Sequence, residues 1–339
     1  MTEIKNKSAR RTPTVSILMS VYKEPLEWIK ISIDSILNQT FADFEFLIVN
    51  DNPDSKELED FLMLYAEKDS RIKIIRNHIN SGLTKSLNNG LIHCKGKYIA
   101  RMDADDYSLP ERLECQVRYM EENPEIVASS AMAHSWDGVK KLSRIYRPSS
   151  YKDIESYIYT SSPFIHPLLI IRSEVLKTNC LRYDESFKVS QDYKLAADLF
   201  KIGKIANLDK YLLLYRESQN QISKVKGYLQ VEAGRRVRRE LINNYYLMHG
   251  IPPLPEKITF QTVKDNYVAE KRLSVNGEDC KEIMNCIRRV LYYSLADYSP
   301  ASFCGFLFSG DYFSKPYNLR RFGIVTLKHL KADIIPALV

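Results

Sequence analysis

From residue 14 to residue 124 the chain alternates β-branched apolar runs with amphipathic stretches, an order that few folds accommodate. "TVSILMSVY" (14–22) reads as a strand, and "EPLEWIKISIDSILNQ" (24–39) carries Leu26, Ile29, Ile33, Ile36 and Leu37 at helical spacing. "FEFLIVND" (44–51), "RIKIIRN" (71–77) and "KYIARMD" (97–103) read as further strands, separated by helices over 55–69 and 82–94. A helix over "PERLECQVRYMEENP" follows, with Pro110 in its first turn and Ser108 and Glu111 at capping-box spacing. Strand–helix alternation implies an α/β fold whose mostly parallel sheet is covered on both faces. Ligands of such sheets bind beyond the carboxyl ends of the strands. Three polar stretches fall there: "SVYKE" after the first strand, "NDNPD" after the second and "DADD" after the fourth.

After about residue 125 the pattern becomes mixed, with "IVASSAMAHSW", "KKLSRIYRP" and the apolar, strand-like "SPFIHPLLIIRSEVL". A helix over 191–203 precedes strand-like "KIANLD" and "YLLLYRE", and residues from about 224 onward read as mainly helical, with a break at "PPLPEK" (252–257). The expected organisation is a polar tail (1–12), an α/β domain (13–222) and a helical C-terminal region (223–339).

Composition excludes several classes. Of 339 residues, 45% are hydrophobic and 27% charged, the balance of a globular protein. The polar start does not read as a signal peptide, and no apolar run is long enough to span a membrane. The six cysteines form no C-x-x-C pair, so they read as free thiols in a reducing cytosol. The net charge of +7 is modest and no DNA-binding motif accompanies it, which argues against nucleic acid. G-x-G-x-x-G is absent, and "GLIHCKGKY" departs from P-loop spacing.

The acidic turn "RMDADDYSLPERL" crowds Asp103, Asp105 and Asp106 into four positions. Such carboxylates resist desolvation together unless something positive joins them. Hard oxygen donors suit Mg²⁺ or Mn²⁺ with substrate phosphates completing the shell. A solvated turn that caps the next helix is the plainer alternative.

"KYIARMDADDYSLPERLECQ" resembles the D-x-D segment of family 2 inverting glycosyltransferases. "VSILMSVYKEPLEWIKISIDSILNQTFADFEFLIVNDNPDS", "INSGLTKSLNNGLIHCKGKYIARMD", "SPFIHPLLIIRSEVL" and "VSQDYKLAADL" are similar to other blocks of that family, so the resemblance covers roughly residues 13–220. It implies a three-layer fold of the GT-A type, a UDP-sugar donor, a Mn²⁺ or Mg²⁺ cofactor and transfer with inversion. It also implies a role for each matching residue. Tyr22 and Glu24 would lie beneath the nucleobase, Asp51 would accept from uracil N3–H, and Lys85 and Arg101 would lie near ribose and diphosphate. Asp105 would bind the metal directly, and Asp103 would face ribose or a metal-bound water. Asp192 would be the general base. His166 and Gln191 would border the acceptor or sugar site, and Asp106 would be structural or part of that site. Plainer roles stay open: Tyr22 in the core, Lys85 on an exposed helix face, His166 as a hydrogen-bonded core histidine and Asp192 as a helix-start carboxylate. The chain departs from the family at Asn50, Gln191 and Ser218, the last where relatives often carry a His.

No Q-x-x-R-W motif is present, which implies one sugar transferred per encounter rather than processive synthesis. The implied acceptor is a lipid-diphosphate-linked or oligosaccharide glycan, as in O-antigen or capsule synthesis. Arg235, Arg236, Arg238 and Arg239, with the basic and apolar tail 311–339, suit an anionic membrane surface as well as they suit packing on the catalytic domain. The expected location is the cytoplasm or the inner face of the plasma membrane. Two rival readings remain at this point, a nucleotidyltransferase acting on a sugar phosphate and an inactive scaffold on the same fold.

Overall fold

The computed structural model of the chain describes residues 12–218 and 227–294. Its first half is the expected alternation: β1 (Val15–Val21), α1 (Leu26–Leu37), β2 (Phe44–Asn50), α2 (Lys56–Lys68), β3 (Ile72–Arg76), α3 (Leu83–His93) and β4 (Tyr98–Asp103). β1 pairs in parallel with both β2 and β4, and β3 extends β2 in parallel. All seven residues of β1 and of β2 are buried, as expected for strands covered on both faces. Val15, Ile17, Met19 and Val21 share one core with Ile29, Ile33 and Ile36 of α1 and Leu58 and Leu62 of α2. Leu18 and Val49 point the other way, against Gly90 of α3. The period-2 alternation of side chains therefore creates three layers.

Two polar residues interrupt these apolar strands for a stated reason. Ser16 Oγ donates to Glu45 Oε1 at 2.6 Å, and the Lys95 and Gly96 N–H groups donate to Glu45 Oε1 and Ser16 Oγ at 2.7 and 2.8 Å. The pair thus satisfies buried donors of the α3–β4 turn. A Cβ at Gly96 would lie 2.4 Å from Ser16 N, so the turn closes only on glycine.

The second half is mixed. β5 (Tyr107–Ser108), α4 (Arg112–Glu122), β6 (Ile126–Trp136), β7 (Lys141–Ile145), α5 (Tyr151–Tyr157), a 3₁₀ turn (His166–Leu168), β8 (Ile170–Arg172), α6 (Ser173–Thr178), α7 (Gln191–Ile202) and β9 (Lys204–Arg216) follow in order. The sheet runs β3-β2-β1-β4-β8-β6-β9-β5, with β7 on β6. β8 is antiparallel to both β4 and β6, and β9 is parallel to β6 and antiparallel to β5. Two expectations are corrected. Ser108 and Glu111 form no capping box: α4 starts at Arg112 without a side-chain cap. Ser108 instead pairs with Leu213 of β9, and its Oγ accepts from Gln39 Nε2 at 3.1 Å. His166 lies in a 3₁₀ turn rather than a strand, and Pro167 beside it has no N–H to offer a ladder.

Helices α8 (Gly227–Met248), α9 (Phe260–Val275) and α10 (Lys281–Tyr293) follow, and "PPLPEK" separates α8 from α9. Contacts divide the described residues into two units, one running to Pro253 and taking in Lys281–Ile287, the other made of Leu254–Cys280 and the described residues from Arg288 onward. In the second unit, buried Arg288 donates to Asn266 Oδ1 at 3.1 Å, pairs with Glu270 and lies over the Tyr267 ring. The tail 311–339 lies outside the described residues. Among the described residues Cys94, Cys115, Cys180, Cys280 and Cys286 are free thiols, and no helix is long and apolar enough to cross a membrane.

Candidate active site

The carboxyl ends of β1, β2 and β4 carry the acidic and amide residues that the sequence singled out. After β2, Asp51 is buried and accepts from Asn77 Nδ2 at 2.7 Å, Ser81 N at 2.8 Å and Gly82 N at 2.9 Å. Gly82 has φ +80°, a conformation that glycine adopts at no steric cost, and this turns the chain into α3. Lys85 is exposed on the first turn of α3. Asn50 accepts from Asn52 N at 2.9 Å and donates to Glu59 at 3.0 Å. Asn52 Nδ2 reaches back to the Tyr22 carbonyl at 2.9 Å, which ties the β1 and β2 loops together. Tyr22 is half-buried, with Lys23 Nζ 5.0 Å from its ring centroid.

Glu24 accepts from Tyr22 N at 2.7 Å. Burial raises the Glu24 carboxyl above the ordinary range, and nearby Asp103 adds to that rise. At the end of β4 the carboxylates of Asp103, Asp105 and Asp106 lie within 4.8 Å of one another. Burial, then Asp103 and Glu24, pushes Asp105 up to about 7. Asp106 is 1% exposed and is held well above the ordinary range by burial and by its two neighbours. Its Oδ1 accepts from Arg216 N at 2.8 Å, while Oδ2 is buried without a partner. Asp106 therefore does not cap α4; it fastens the acidic turn to the end of β9. Three raised carboxyls gathered around Asp103, one with an orphaned oxygen, match the donor set of a hard divalent cation.

Arg101 is 3% exposed and reaches Asp103 Oδ1 from Nη2 at 2.5 Å. Its Nε and Nη1 are buried without partners. Arg112 Nη2 donates to the Arg101 carbonyl at 2.6 Å, and burial lowers Arg112 to about 9 against the pull of Asp106. Beside Arg101, His166 Nε2 and Tyr183 Oη are 2.8 Å apart. Burial, then the Arg101 charge, lowers His166 to about 4, so its imidazole is neutral at pH 7; Asp192 and Asp103 oppose that shift. Asp192 thus reaches the same electrostatic neighbourhood as the acidic turn. It occupies the first turn of α7, behind Ser190, whose φ of +57° is rare for a residue with a Cβ. Gln191 is buried beside it, and Ser218 is half-buried just past β9.

Three residues in this neighbourhood escape a reading of the sequence. Tyr183 pairs with His166. Tyr215 is raised by burial and by the fields of Asp103, Asp106, Asp105 and Asp192. Arg216 Nε donates to the Asp105 carbonyl at 2.7 Å. The one sequence signal for the last two is "LLLYR", an apolar strand with a terminal cation.

The basic residues of α8 are largely engaged. Arg235 pairs with Glu232 at 2.6 Å, and Arg236 lies 4.3 Å from the Phe187 ring centroid. Burial lowers Arg238, with Tyr193 opposing the shift.

Residues 16–179 match the family model for glycosyl transferase family 2. A glycosyltransferase of Methanocaldococcus jannaschii is 36% identical over 249 residues, which span 69% of this chain and 83% of that protein. The chain belongs to glycosyltransferase family 2. Within the family it is similar to the amylovoran biosynthesis glycosyltransferase AmsE of Erwinia amylovora, at 32% identity over 64% of this chain and 82% of AmsE. It is also similar to the O-antigen biosynthesis glycosyltransferase WbnJ of Escherichia coli, at 36% identity over 50% of this chain and 65% of WbnJ. The crystal structure of S. aureus TarS 1-349 in complex with UDP shares the fold, with a TM-score of 0.53, 18% identity and coverage of 82% of this chain and 90% of that one. A family 2 glycosyltransferase with a GT-A type fold is the identity expected from the motifs.

Proposed function

We propose that this family 2 enzyme moves one sugar at a time from a UDP-sugar to a glycan acceptor, with inversion and with the help of Mn²⁺ or Mg²⁺. The observation that carries this reading is the convergence of Asp103, Asp105 and Asp106 within 4.8 Å at the carboxyl end of β4, with one buried carboxylate oxygen left over. TarS has been crystallised with UDP and with UDP-GlcNAc, which supports a uridine nucleotide in the equivalent cleft. AmsE and WbnJ are named for amylovoran and O-antigen biosynthesis, which supports a polysaccharide acceptor; its carriage on a lipid diphosphate at the inner face of the membrane is the further part of the proposal.

The placement of the residues supports the following roles. The loops carrying Tyr22, Glu24 and Asp51 receive the nucleobase, and Lys85 stands exposed at the neighbouring start of α3 as a cation for the phosphates. Asp103, Asp105 and Asp106 would hold the cation, which would supply neutralising charge for the departing diphosphate. Asp192 takes the proton of the acceptor hydroxyl as that oxygen bonds to the anomeric carbon from the face opposite UDP. No second acid is needed, because UDP leaves as an anion. His166, neutral and paired with Tyr183, shapes the site between Asp192 and Arg101 without carrying charge into it.

The test is calorimetric titration of UDP into the purified protein with Mn²⁺ and then with EDTA, beside Asp105→Ala. Binding that requires both metal and Asp105 supports the reading, and binding indifferent to both removes it. A panel of UDP-sugars follows: free UDP as product fits transfer, whereas pyrophosphate identifies a nucleotidyltransferase and neither product identifies a scaffold.

A further inference from the structure

Arg216 ends β9, and contacts from three other elements converge on it. Its backbone N–H donates to Asp106 Oδ1 at 2.8 Å and its Nε–H to the Asp105 carbonyl at 2.7 Å. Its guanidinium carbon lies 4.2 Å from the ring centroid of Trp136 and 4.7 Å from that of Trp28. These are the two tryptophans of the whole chain. Trp136 ends β6 in register with Arg216, and the Glu217 N–H donates to the Trp136 carbonyl at 2.8 Å. Trp28 sits on α1, about one turn after Glu24. Arg216 itself is 4% exposed. A planar guanidinium can lie against aromatic rings and still donate in its own plane, which a lysine ammonium cannot do.

We propose that Arg216, packed against Trp28 and Trp136, is a positioning residue that fixes the Asp105–Asp106 turn in the geometry that receives the divalent cation. The proposal rests on the reading of that turn as a cation site. Once deprotonated to receive a cation, three carboxylates held within 4.8 Å of one another would repel and splay apart. Arg216 opposes this mainly through main-chain groups: it grips the Asp105 carbonyl with its side chain and Asp106 Oδ1 with its own N–H. The Asp105 carboxylate and Asp106 Oδ2 are left to face a cation. The aromatic packing also links the brace to α1, which starts just beyond the Tyr22–Glu24 loop. The two tryptophans therefore stand close enough to the turn for its occupancy to be read in their emission.

The test is titration of the full-length protein with Mn²⁺ at saturating UDP, followed by calorimetry and by quenching of tryptophan emission, with the thermal midpoint measured in EDTA. Arg216→Lys is expected to weaken Mn²⁺ binding roughly 10- to 100-fold, the range for residues that orient metal ligands. Trp28→Leu, at a half-buried helix position, is expected to weaken it several-fold, and Trp28→Phe to restore it. If both Arg216→Lys and Trp28→Leu keep the wild-type Mn²⁺ constant, the proposal is overturned, even where the thermal midpoint falls, because a purely structural brace lowers only the midpoint. If Arg216→Lys does not fold, the Trp28→Leu and Trp28→Phe pair decides, and equal constants overturn the proposal. A wild-type protein that binds UDP but no Mn²⁺ overturns the cation reading and this proposal with it, whereas wild-type binding with unaltered variants overturns this proposal alone.

Discussion

Arg101 donates to Asp103 from Nη2 at 2.5 Å, while its Nε and Nη1 are buried without partners. A cation so incompletely paired is costly to bury, and its contact with Asp103 is what offsets that cost. Arg101→Met is therefore expected to release Asp103 and to weaken UDP binding in Mn²⁺ about tenfold, a loss of about 1.4 kcal/mol. The fold should lose only about 2 kcal/mol, because Asp103 keeps 27% of its side chain in water and that softens the loss of the pair. Calorimetry with UDP and urea denaturation check the two halves of this expectation, and wild-type affinity in the variant would refute the first.

The raised carboxyl of Asp105 makes a prediction about pH. In the unfolded chain this group ionises near 3.8, but in the folded protein it holds its proton up to about 7. Between those values the folded state binds more protons, so stability in EDTA falls as pH rises from about 4 to about 7. Asp105→Asn should remove a large part of that slope. Cation binding should strengthen over the same interval, because the proton and the cation compete for one carboxylate. Thermal midpoints measured across this interval and just above it, with and without Mn²⁺, check the sign. A pH dependence in EDTA that Asp105→Asn leaves unchanged would contradict it.

Asp51 organises the backbone at the start of α3. It accepts from Ser81 N, Gly82 N and Asn77 Nδ2. Asp51→Ala leaves those donors without a carboxylate and should cost about 3 kcal/mol of stability, as expected when several buried donors lose one shared acceptor. The start of α3 should loosen first. Hydrogen exchange of the Ser81 and Gly82 amides, compared with that of the β1 amides, measures the local part of the loss.

The alternation of residues 14–103 places every element from β1 to β4 within one or two residues of its observed ends, because those strands and helices are built from local periodicity. The convergence of "SVYKE", "NDNPD" and "DADD" is legible for the same reason, since parallel strands bring their carboxyl ends to one edge. What is not legible depends on partners distant in sequence. β5 has two residues and exists because Leu213 and Leu214 pair with it, so Ser108 reads as a cap when only its neighbours are considered. β8 inserts antiparallel between β4 and β6, an order that no local pattern specifies. Arg216 and the two tryptophans come together from β9, α1 and β6, and nothing in "LLLYR" points to Trp28 or Trp136.

Gly96 gives a prediction about folding alone. A methyl group there would meet Ser16 N at 2.4 Å, Val15 C at 2.7 Å and Tyr98 O at 2.9 Å, all of them backbone in the central sheet. Backbone of paired strands cannot withdraw as a side-chain tip can. Gly96→Ala is expected to cost about 3 kcal/mol, the upper part of the range for overpacking. Urea midpoints compare it with Gly82→Ala, where no atom lies within 4 Å of the added Cβ and only the φ of +80° is strained. That variant should lose about 2 kcal/mol from backbone strain alone, because φ +80° with ψ +160° lies in a region essentially confined to glycine.

Asp192 and the acidic turn should separate in a kinetic experiment. Asp192 lies in the first turn of α7, and its field reaches His166, Tyr183 and Tyr215, whereas Asp105 belongs to the turn after β4. If Asp192 takes the proton of the attacking hydroxyl, Asp192→Asn should lower kcat by roughly 10²- to 10⁴-fold. It should leave UDP binding unaltered, since it touches neither the diphosphate nor the cation in this reading. Asp105→Asn should do the reverse at low Mn²⁺, with weaker donor binding that excess cation partly restores. Retained kcat in Asp192→Asn would assign proton removal to another group. His166 would then be the first to test, through His166→Gln, because its neutral imidazole lies in the same neighbourhood and pairs with Tyr183 at 2.8 Å.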